Sequence, residues 1–129
     1  MKTAFQELPG LKVEVEKVVF VPQLEAPPEK PFPFAYFIHI INQSTETISI
    51  LARKWILRDV IGELVVVEGS GVVGEKPTLS PGERFSYNSY HVVASDSEVT
   101  GAFFGVNSDG KGIRVKIPTF SLTCPSGKG

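Results

Sequence analysis

Glycines in the middle of the chain form the pattern closest to a known ligand-binding motif. Gly69, Gly71 and Gly74 have the G-x-G-x-x-G spacing of a dinucleotide-binding loop. In such loops the glycines allow a tight turn and let backbone N–H groups reach a pyrophosphate at the start of a helix. Here Pro77 and Pro81 follow, where that helix would have to run. We therefore predict that the glycines shape a bend between paired strands. The alternative is a helix-free nest of N–H groups that binds a small anion, such as pyrophosphate or a nucleotide.

Cationic residues ahead of the glycines define a second candidate site. Arg53, Lys54 and Arg58 surround Trp55, and Glu75 follows the glycine motif. The cations could bind phosphate or an acidic segment of a partner. The strand period places Arg53 and Trp55 on one face and Lys54 on the other, which favours a charged outer face with Trp55 as a core anchor. An exposed Trp55 would instead be a strong contact residue for a partner.

Residue types that catalyse reactions or bind metals are scattered along the chain. His39 and His91 have no ligand spacing, and we interpret His39 as a hydrogen-bonded residue of an apolar strand and His91 as a loop residue. The serines form no nucleophile motif, and Cys124 has no neighbour in sequence that would activate a thiol. We therefore predict no catalytic residue, no cofactor and no metal site.

Length, net charge and hydropathy limit the classes of protein to which this chain could belong. The chain has 129 residues, one cysteine and a net charge of -1, which predicts one domain without disulfides and argues against a nucleic-acid-binding surface. Its longest apolar runs fall well short of the ~20 residues that span a membrane. With no export signal recognised at the N-terminus, we expect a cytoplasmic protein that binds no membrane.

Alternation with a period of two residues dominates the sequence and predicts about seven strands. Short turn signals such as Asp59–Gly62 separate the strands, and no segment has a helical period with caps. A change of phase near residues 18–21 predicts a bulge, and Pro118 predicts an edge position or a bulge. The pattern is typical of an all-β antiparallel sandwich of the immunoglobulin or fibronectin type III kind, with a small barrel as the alternative. An unprotected edge strand would permit a homodimer.

Ordered motifs in the central third resemble the ApaG domain family. They are the run 34–40, the segment Arg53-Lys54-Trp55-Ile56-Leu57, the glycine segment 69–77 and the segment 79–89. Residues 117–122 are similar to the closing motif of the family. Lys54 stands where the family usually has a histidine. The resemblance covers about residues 11–122, so we expect a single domain over residues 1–129 with its core at 11–122 and a flexible tail at 124–129.

The resemblance implies a fibronectin type III-like sandwich and a role in protein–protein contacts rather than catalysis. In eukaryotes the domain is attached to F-box proteins and to a polymerase-delta-interacting protein. In bacteria it stands alone and is linked by genetics to cobalt resistance and magnesium efflux. We expect a non-enzymatic interaction module that contacts a protein partner through Arg53–Trp55, Gly69–Pro77 and Leu79–Gly82. Small-anion binding at the glycines is the first alternative, and direct binding of a divalent cation is the second.

Overall fold

The computed structural model describes residues 5–125, and within this range the chain forms nine β-strands and no helix. In chain order they are β1 (Gln6–Glu7), β2 (Leu11–Phe20), β3 (Phe32–Asn42), β4 (Ile48–Asp59), β5 (Leu64–Ser70), β6 (Thr78–Leu79), β7 (Arg84–Val93), β8 (Ser97–Asn107) and β9 (Gly112–Leu122). The seven long strands are those that the alternation predicts. The other two, β1 and β6, have two residues each, which is too short for any periodic signal.

The strands form two sheets that pack face to face. The larger sheet has the order β1-β9-β8-β4-β5, with β6 also paired to β4, and the smaller sheet has the order β2-β3-β7. Every pair of strands is antiparallel except β1 with β9. The prediction of an all-β sandwich is confirmed. Because residues 5–125 contain no helix, none of them belongs to a helix that could cross a membrane.

The core lies between the two sheets and is filled by alternate residues of the long strands. Trp55 and Phe103 are the largest side chains that are almost fully buried in it. Alternate burial along β3 and β4 follows from the pleat, which sends successive side chains to opposite faces. The smaller residues of the core include Leu11, Val13, Ile38, Ile40, Ile48, Ile50, Val72, Leu79, Val99, Ile113, Val115, Ile117 and Leu122.

The bulge predicted near residues 18–21 occurs earlier in β2. The register with β3 shifts between Val15 and Lys17, so the extra residue is Glu16. At this position Glu16 accepts a hydrogen bond from His39 Nε2 (2.7 Å). The bulge at Pro118 is confirmed, since the register of β8 and β9 shifts next to it, between Val99 and Gly101 on β8.

The turns that the sequence predicts are present, and they set the hairpins. Gly62 N–H donates to Asp59 O (3.0 Å) between β4 and β5, and Gly110 N–H donates to Asn107 O (3.0 Å) between β8 and β9. The φ of Gly82 is +91°, as the third residue of a type II turn requires. At the C-terminal end, Cys124 N–H donates to Asp96 Oδ1 (2.7 Å). Of the predicted flexible tail, residues 126–129 lie outside the described range.

The sandwich is open along the side where β5 and β7 lie. Each is the last strand of its sheet, and a groove of about 450 Å³ separates them. Its apolar lining includes Leu57, Val65, Val67 and Val93. On the opposite side β2 packs against β9.

Candidate functional site

The glycine motif forms a tight hairpin turn that follows β5. Val72 N–H donates to Glu75 O (2.7 Å), and Glu75 N–H donates to Val72 O (2.9 Å). Between these two residues, Val73 and Gly74 have φ angles of +44° and +82°, which is the type I′ arrangement of a two-residue hairpin. The prediction that the glycines form a bend and open no helix is therefore confirmed, although β5 and β6 on either side of it pair with β4 rather than with each other. We refer to residues Gly69–Glu75 as the glycine turn.

Val73 occupies a backbone conformation that its side chain disfavours. It is the one residue other than glycine with a positive φ among residues 5–125. A β-branched residue in the left-handed region is a genuine outlier, because Cβ and its two branches crowd the following peptide. Its side chain is 48% exposed, whereas the preceding Val72 is fully buried. The turn is thus anchored by Val72 and presents Val73 to solvent.

Two glycines of the motif lie in close approaches that an added Cβ would disturb. A Cβ at Gly71, whose φ is +69°, would lie 2.6 Å from Glu75 O. A Cβ at Gly69 would lie 2.8 Å from Arg53 Nη2 and 2.9 Å from its Cζ. Gly69 therefore provides the flat surface on which the guanidinium of Arg53 rests.

Arg53 links β4 to the glycine turn. It lies opposite Gly69 in the β4–β5 ladder, and its Nη1 donates to Ser70 O (2.9 Å) and to Gly71 O (3.0 Å). These two carbonyls leave the ladder at the end of β5, and the cation satisfies them with charge-assisted hydrogen bonds. Arg53 is a positioning residue that fixes where the turn leaves the sheet.

The other residues of the predicted contact set lie apart from the turn. As the strand period predicts, Arg53 and Trp55 lie on one face of β4, and Lys54 lies on the other. Trp55 is 1% exposed, so it is a core anchor that could contribute to a contact surface only through its neighbours. Lys54 lines a shallow groove on the outer face of the larger sheet with Arg114 and Lys116, and Arg58 is exposed at the far end of β4.

Glu75 is joined to the turn through its backbone. Its carbonyl and N–H pair with Val72, and its side chain is exposed. The structure thus brings Arg53, Gly69, Gly71, Gly74 and Glu75 together, while the participation of Lys54, Trp55 and Arg58 in one contact surface stays a prediction.

His91 belongs to β7 and to the core, which corrects the loop predicted for it. Its ring stacks on Tyr36 (centroids 4.6 Å apart) and meets Trp55 edge to face (4.8 Å). Burial lowers the pKa of His91 to about 4, because the charged imidazolium would lose its hydration. The signal was present in the sequence, since His91 and Val93 continue the odd-numbered alternation of Phe85, Tyr87 and Ser89.

Aromatic rings close to the Arg53 side chain make its surroundings apolar. Tyr36 and Tyr87 pack edge to face (centroids 6.3 Å apart). Burial raises the pKa of both phenols, although the Arg53 charge opposes that shift. The phenols therefore stay neutral, and Arg53 supplies the positive charge beside the turn.

His39 is a half-buried, hydrogen-bonded residue of β3, as predicted. Its Nδ1 lies 2.6 Å from Ser86 Oγ, and its Nε2 donates to Glu16 Oε1 at 2.7 Å. Throughout the described residues, no three side chains of His, Cys, Asp or Glu lie close enough to hold a metal ion together.

Several amides of the glycine turn already have backbone acceptors. Gly71 N–H donates to Leu51 O (2.6 Å), and the N–H groups of Val72 and Glu75 donate across the turn. Small-anion binding here stays a prediction, and the amides that the turn could offer to an anion include those of Val73 and Gly74. A titration with diphosphate that shifts those two amide resonances would support it.

Comparison with known proteins identifies a matching family model, similar sequences and similar solved structures. The family model described as the ApaG domain matches residues 22–107. The chain is 39% identical to Protein ApaG of Bradyrhizobium diazoefficiens over 110 residues, covering 84% of this chain and 85% of that protein. It is 40% identical to Protein ApaG of Methylocella silvestris, covering 82% of each. A crystal structure of a Bordetella pertussis protein described as ApaA is similar, with a TM-score of 0.80, 30% identity, and coverage of 95% of this chain and 98% of that chain.

Proposed function

The chain belongs to the ApaG domain family, and from that premise we propose that it is a non-enzymatic interaction protein whose glycine turn contacts a protein partner. The observation that carries the proposal is Val73, which is strained, β-branched and exposed. A strained residue persists only where the surrounding structure imposes it, and such residues cluster at functional sites. Because Val73 gains little packing inside the domain, its side chain is best accounted for by a contact outside it.

The way in which the turn is held supports the same proposal. Arg53 fixes the carbonyls of Ser70 and Gly71, and Val72 is fully buried beneath the turn. A pre-organised turn loses little conformational entropy when a partner binds, so more of the contact energy appears as affinity. Glycine-containing turns on a rigid sandwich are a common place for recognition.

The test compares partners captured by the wild-type protein and by two matched variants. Val73→Gly removes the exposed side chain and keeps the positive φ, while Val60→Gly removes an exposed valine from the β4–β5 turn. Each protein carries a photo-crosslinking residue at Glu75 and is exposed to an extract of its host. We expect Val60→Gly to capture the wild-type set of proteins and Val73→Gly to lose at least one of them. Identical sets from all three proteins would contradict the proposal.

We further propose that the protein acts in the cytoplasm and that the cobalt and magnesium phenotypes implied by its family arise through its partner. In this proposal the partner carries the metal chemistry, and the ApaG domain supplies a contact. Calorimetric titration of the protein with Co²⁺ and with Mg²⁺ tests the alternative of direct binding. A saturable heat at a stoichiometry near one ion per chain would contradict the indirect route.

A further inference from the structure

The edge strand β5 exposes apolar side chains on both of its faces. Each residue of Leu64–Val67 is 38–53% exposed. Proteins usually protect an edge strand with lysine, proline or a bulge. The sequence of β5 contains neither lysine nor proline, and its ladder with β4 has no shift of register. Such a strand is a template for a further strand.

We propose that β5 pairs with β5 of a second copy of this chain, antiparallel and across a two-fold axis at Val66. The hydrogen bonds at the two ends of the β4–β5 ladder indicate which backbone groups are available. Asp59 N–H donates to Glu63 O (3.0 Å), and Gly71 N–H donates to Leu51 O (2.6 Å). Hydrogen bonding alternates along an antiparallel ladder. The odd-numbered residues of β5 therefore direct their backbone N–H and C=O groups toward β4, and Leu64, Val66 and Glu68 direct theirs toward the open edge.

An axis at Val66 uses those available groups and opposes no like charges. Val66 exchanges both of its hydrogen bonds with Val66 of the second copy, and Leu64 lies opposite Glu68. Val65 lies opposite Val67, which forms an aliphatic cross-strand pair on the face toward the groove. Glu63 lies opposite Gly69, so neither acidic residue at the ends of the strand meets another carboxylate.

Pairing of two copies would bury both faces of the strand. On the inner face, Val65 and Val67 lie opposite Leu57 and Trp55 of β4, and the valines of the second copy would continue that apolar row past the edge. On the outer face, Val66 would meet Val66 of the second copy, and Leu64 would meet the aliphatic part of its Glu68. A second copy is favoured as the occupant because the patch is self-complementary about Val66, and a net charge of -1 per chain opposes association only weakly.

The other open edge offers a contrast within the same molecule. Along β7 the exposed positions Arg84, Ser86 and Asn88 are polar and alternate with half-buried residues, and the exposed Tyr90 that follows them donates its hydroxyl to Glu25 O (2.9 Å). That pattern belongs to a strand with one wet face. Continuous apolar exposure on both faces is found on β5, which is why the proposal concerns β5 rather than β7.

The test uses the symmetry of the proposed register. Since Val66 would face its own copy, Val66→Lys places two ammonium groups together and Val66→Glu places two carboxylates together. We expect the wild-type protein to sediment as a concentration-dependent dimer between micromolar and millimolar protein, and each variant alone to sediment as a monomer. An equal mixture of the two variants is expected to restore a heterodimer, and added salt should weaken that heterodimer. Val60→Lys, which adds a charge outside the strand, should leave the wild-type dimer intact.

Circular dichroism of each variant checks that the sandwich is folded, so that loss of the dimer is not loss of the domain. A wild-type protein that is monomeric at every concentration would overturn the proposal. The exposed edge of β5 would then be available to pair with a strand of another protein. A Val66→Lys protein that remains a dimer, or a mixture of variants that does not associate, would also overturn it. These outcomes do not depend on capture at Val73, so self-pairing and the proposed function succeed or fail separately.

Discussion

Val73 and Arg53 show how single side chains determine the shape of the glycine turn. Val73 takes a positive φ that glycine would take without strain, while the side chain of Arg53 crosses Gly69 to hold two carbonyls. The positive φ of Val73 costs conformational energy, whereas Arg53 stabilises the turn with charge-assisted hydrogen bonds. The balance between them is measurable by changing one residue at a time.

Replacing Val73 by glycine is expected to stabilise the domain. Relief of a β-branched residue at positive φ gains roughly 1–3 kcal/mol, and the greater freedom of glycine in the unfolded chain costs roughly 0.4–1 kcal/mol. We therefore expect the free energy of unfolding to rise by about 1 kcal/mol in urea titrations. Val60→Gly has no such strain to relieve and should lose a few tenths of a kcal/mol to about 1 kcal/mol. A loss of stability in Val73→Gly would show that the turn is not strained.

Asn42 is a second residue whose single side chain stabilises a junction between elements. It is fully buried, and its Nδ2 donates to Glu46 O (2.8 Å) and to Leu79 O (2.9 Å). Its Oδ1 accepts from Ser44 N–H (3.0 Å) and from the Ser44 hydroxyl (2.6 Å). The amide thus ties the crossing between the two sheets to β6.

Asn42→Ala is expected to destabilise the domain strongly. It would remove the Asn42 donor from Leu79 O and the Asn42 acceptor from Ser44 N–H, while Glu46 O would keep the Ser44 hydroxyl (3.2 Å). Each buried unsatisfied group costs roughly 1–3 kcal/mol. We expect a loss of about 3 kcal/mol or more in urea titrations, with Ser44→Ala losing about 1 kcal/mol because the Asn42 donors remain. Equal losses in the two variants would contradict the central role given to the Asn42 amide.

Strands β4 and β8 approach so closely that their contact limits the side chains between them. A Cβ at Gly105 would overlap the carbonyl oxygen of Ser49, and a Cβ at Gly101 would lie 2.6 Å from Lys54 O. The register between the two strands shifts between Ile50 and Ala52, so the bulge and the glycine of the partner strand belong together. At Gly101 and Gly105, glycine allows β4 and β8 to lie close together, and neither glycine is there to form a turn.

The two close approaches at Gly105 and Gly69 predict different penalties for alanine. At Gly105 the obstacle is backbone, so we expect Gly105→Ala to lose about 3 kcal/mol of stability. At Gly69 the obstacle is the end of a flexible arginine side chain, so Gly69→Ala should lose less than about 1 kcal/mol. Thermal unfolding of both variants measures the difference. A mild effect at Gly105 would mean that β4 and β8 can separate without cost.

At the scale of the whole molecule, His91 makes the packing of the two sheets sensitive to pH. It lies on β7 with 7% exposure, and its ring contacts Tyr36 of β3 and Trp55 of β4. Its pKa in the folded protein, about 4, is below the value of roughly 6.5 expected for the unfolded chain. Between these values the unfolded chain binds the extra proton, so acid favours unfolding.

Stability is therefore expected to be complete above about pH 6.5 and to fall as the pH decreases toward 4, by about 3 kcal/mol from this residue. Urea titrations at several pH values measure the slope. His91→Phe keeps an aromatic ring in the site and should remove this part of the slope. His39→Gln changes the half-buried histidine of β3 and should leave the contribution of His91 in place. An unchanged slope in His91→Phe would show that the core tolerates the charged ring.

Local patterns in the sequence are sufficient for the seven long strands, the turns and the sandwich, whereas the two-residue strands β1 and β6 carry no such pattern. Alternation over two residues follows from the pleat, and turns at Asp59–Gly62 and Asn107–Gly110 follow from residues that accept positive φ, so both can be recognised without tertiary contacts. The bend at the glycines followed in the same way, because prolines exclude the helix that a nucleotide loop needs. The ApaG family was recognised from the order of these motifs.

Tertiary structure decided what the same residues do once the sheets pack. Whether Trp55 is core or contact, and how deeply His91 is buried, depends on which residues lie across the sandwich. The strain at Val73, the hydrogen bonds of Asn42 and the exposure of Leu64–Val67 depend on it as well. A run of apolar, β-branched residues has the same sequence pattern in a central strand and in an edge strand, because the burial of the run depends on partners distant in sequence. Local sequence specifies conformation, whereas burial, strain and available edges are properties of the assembled sheets.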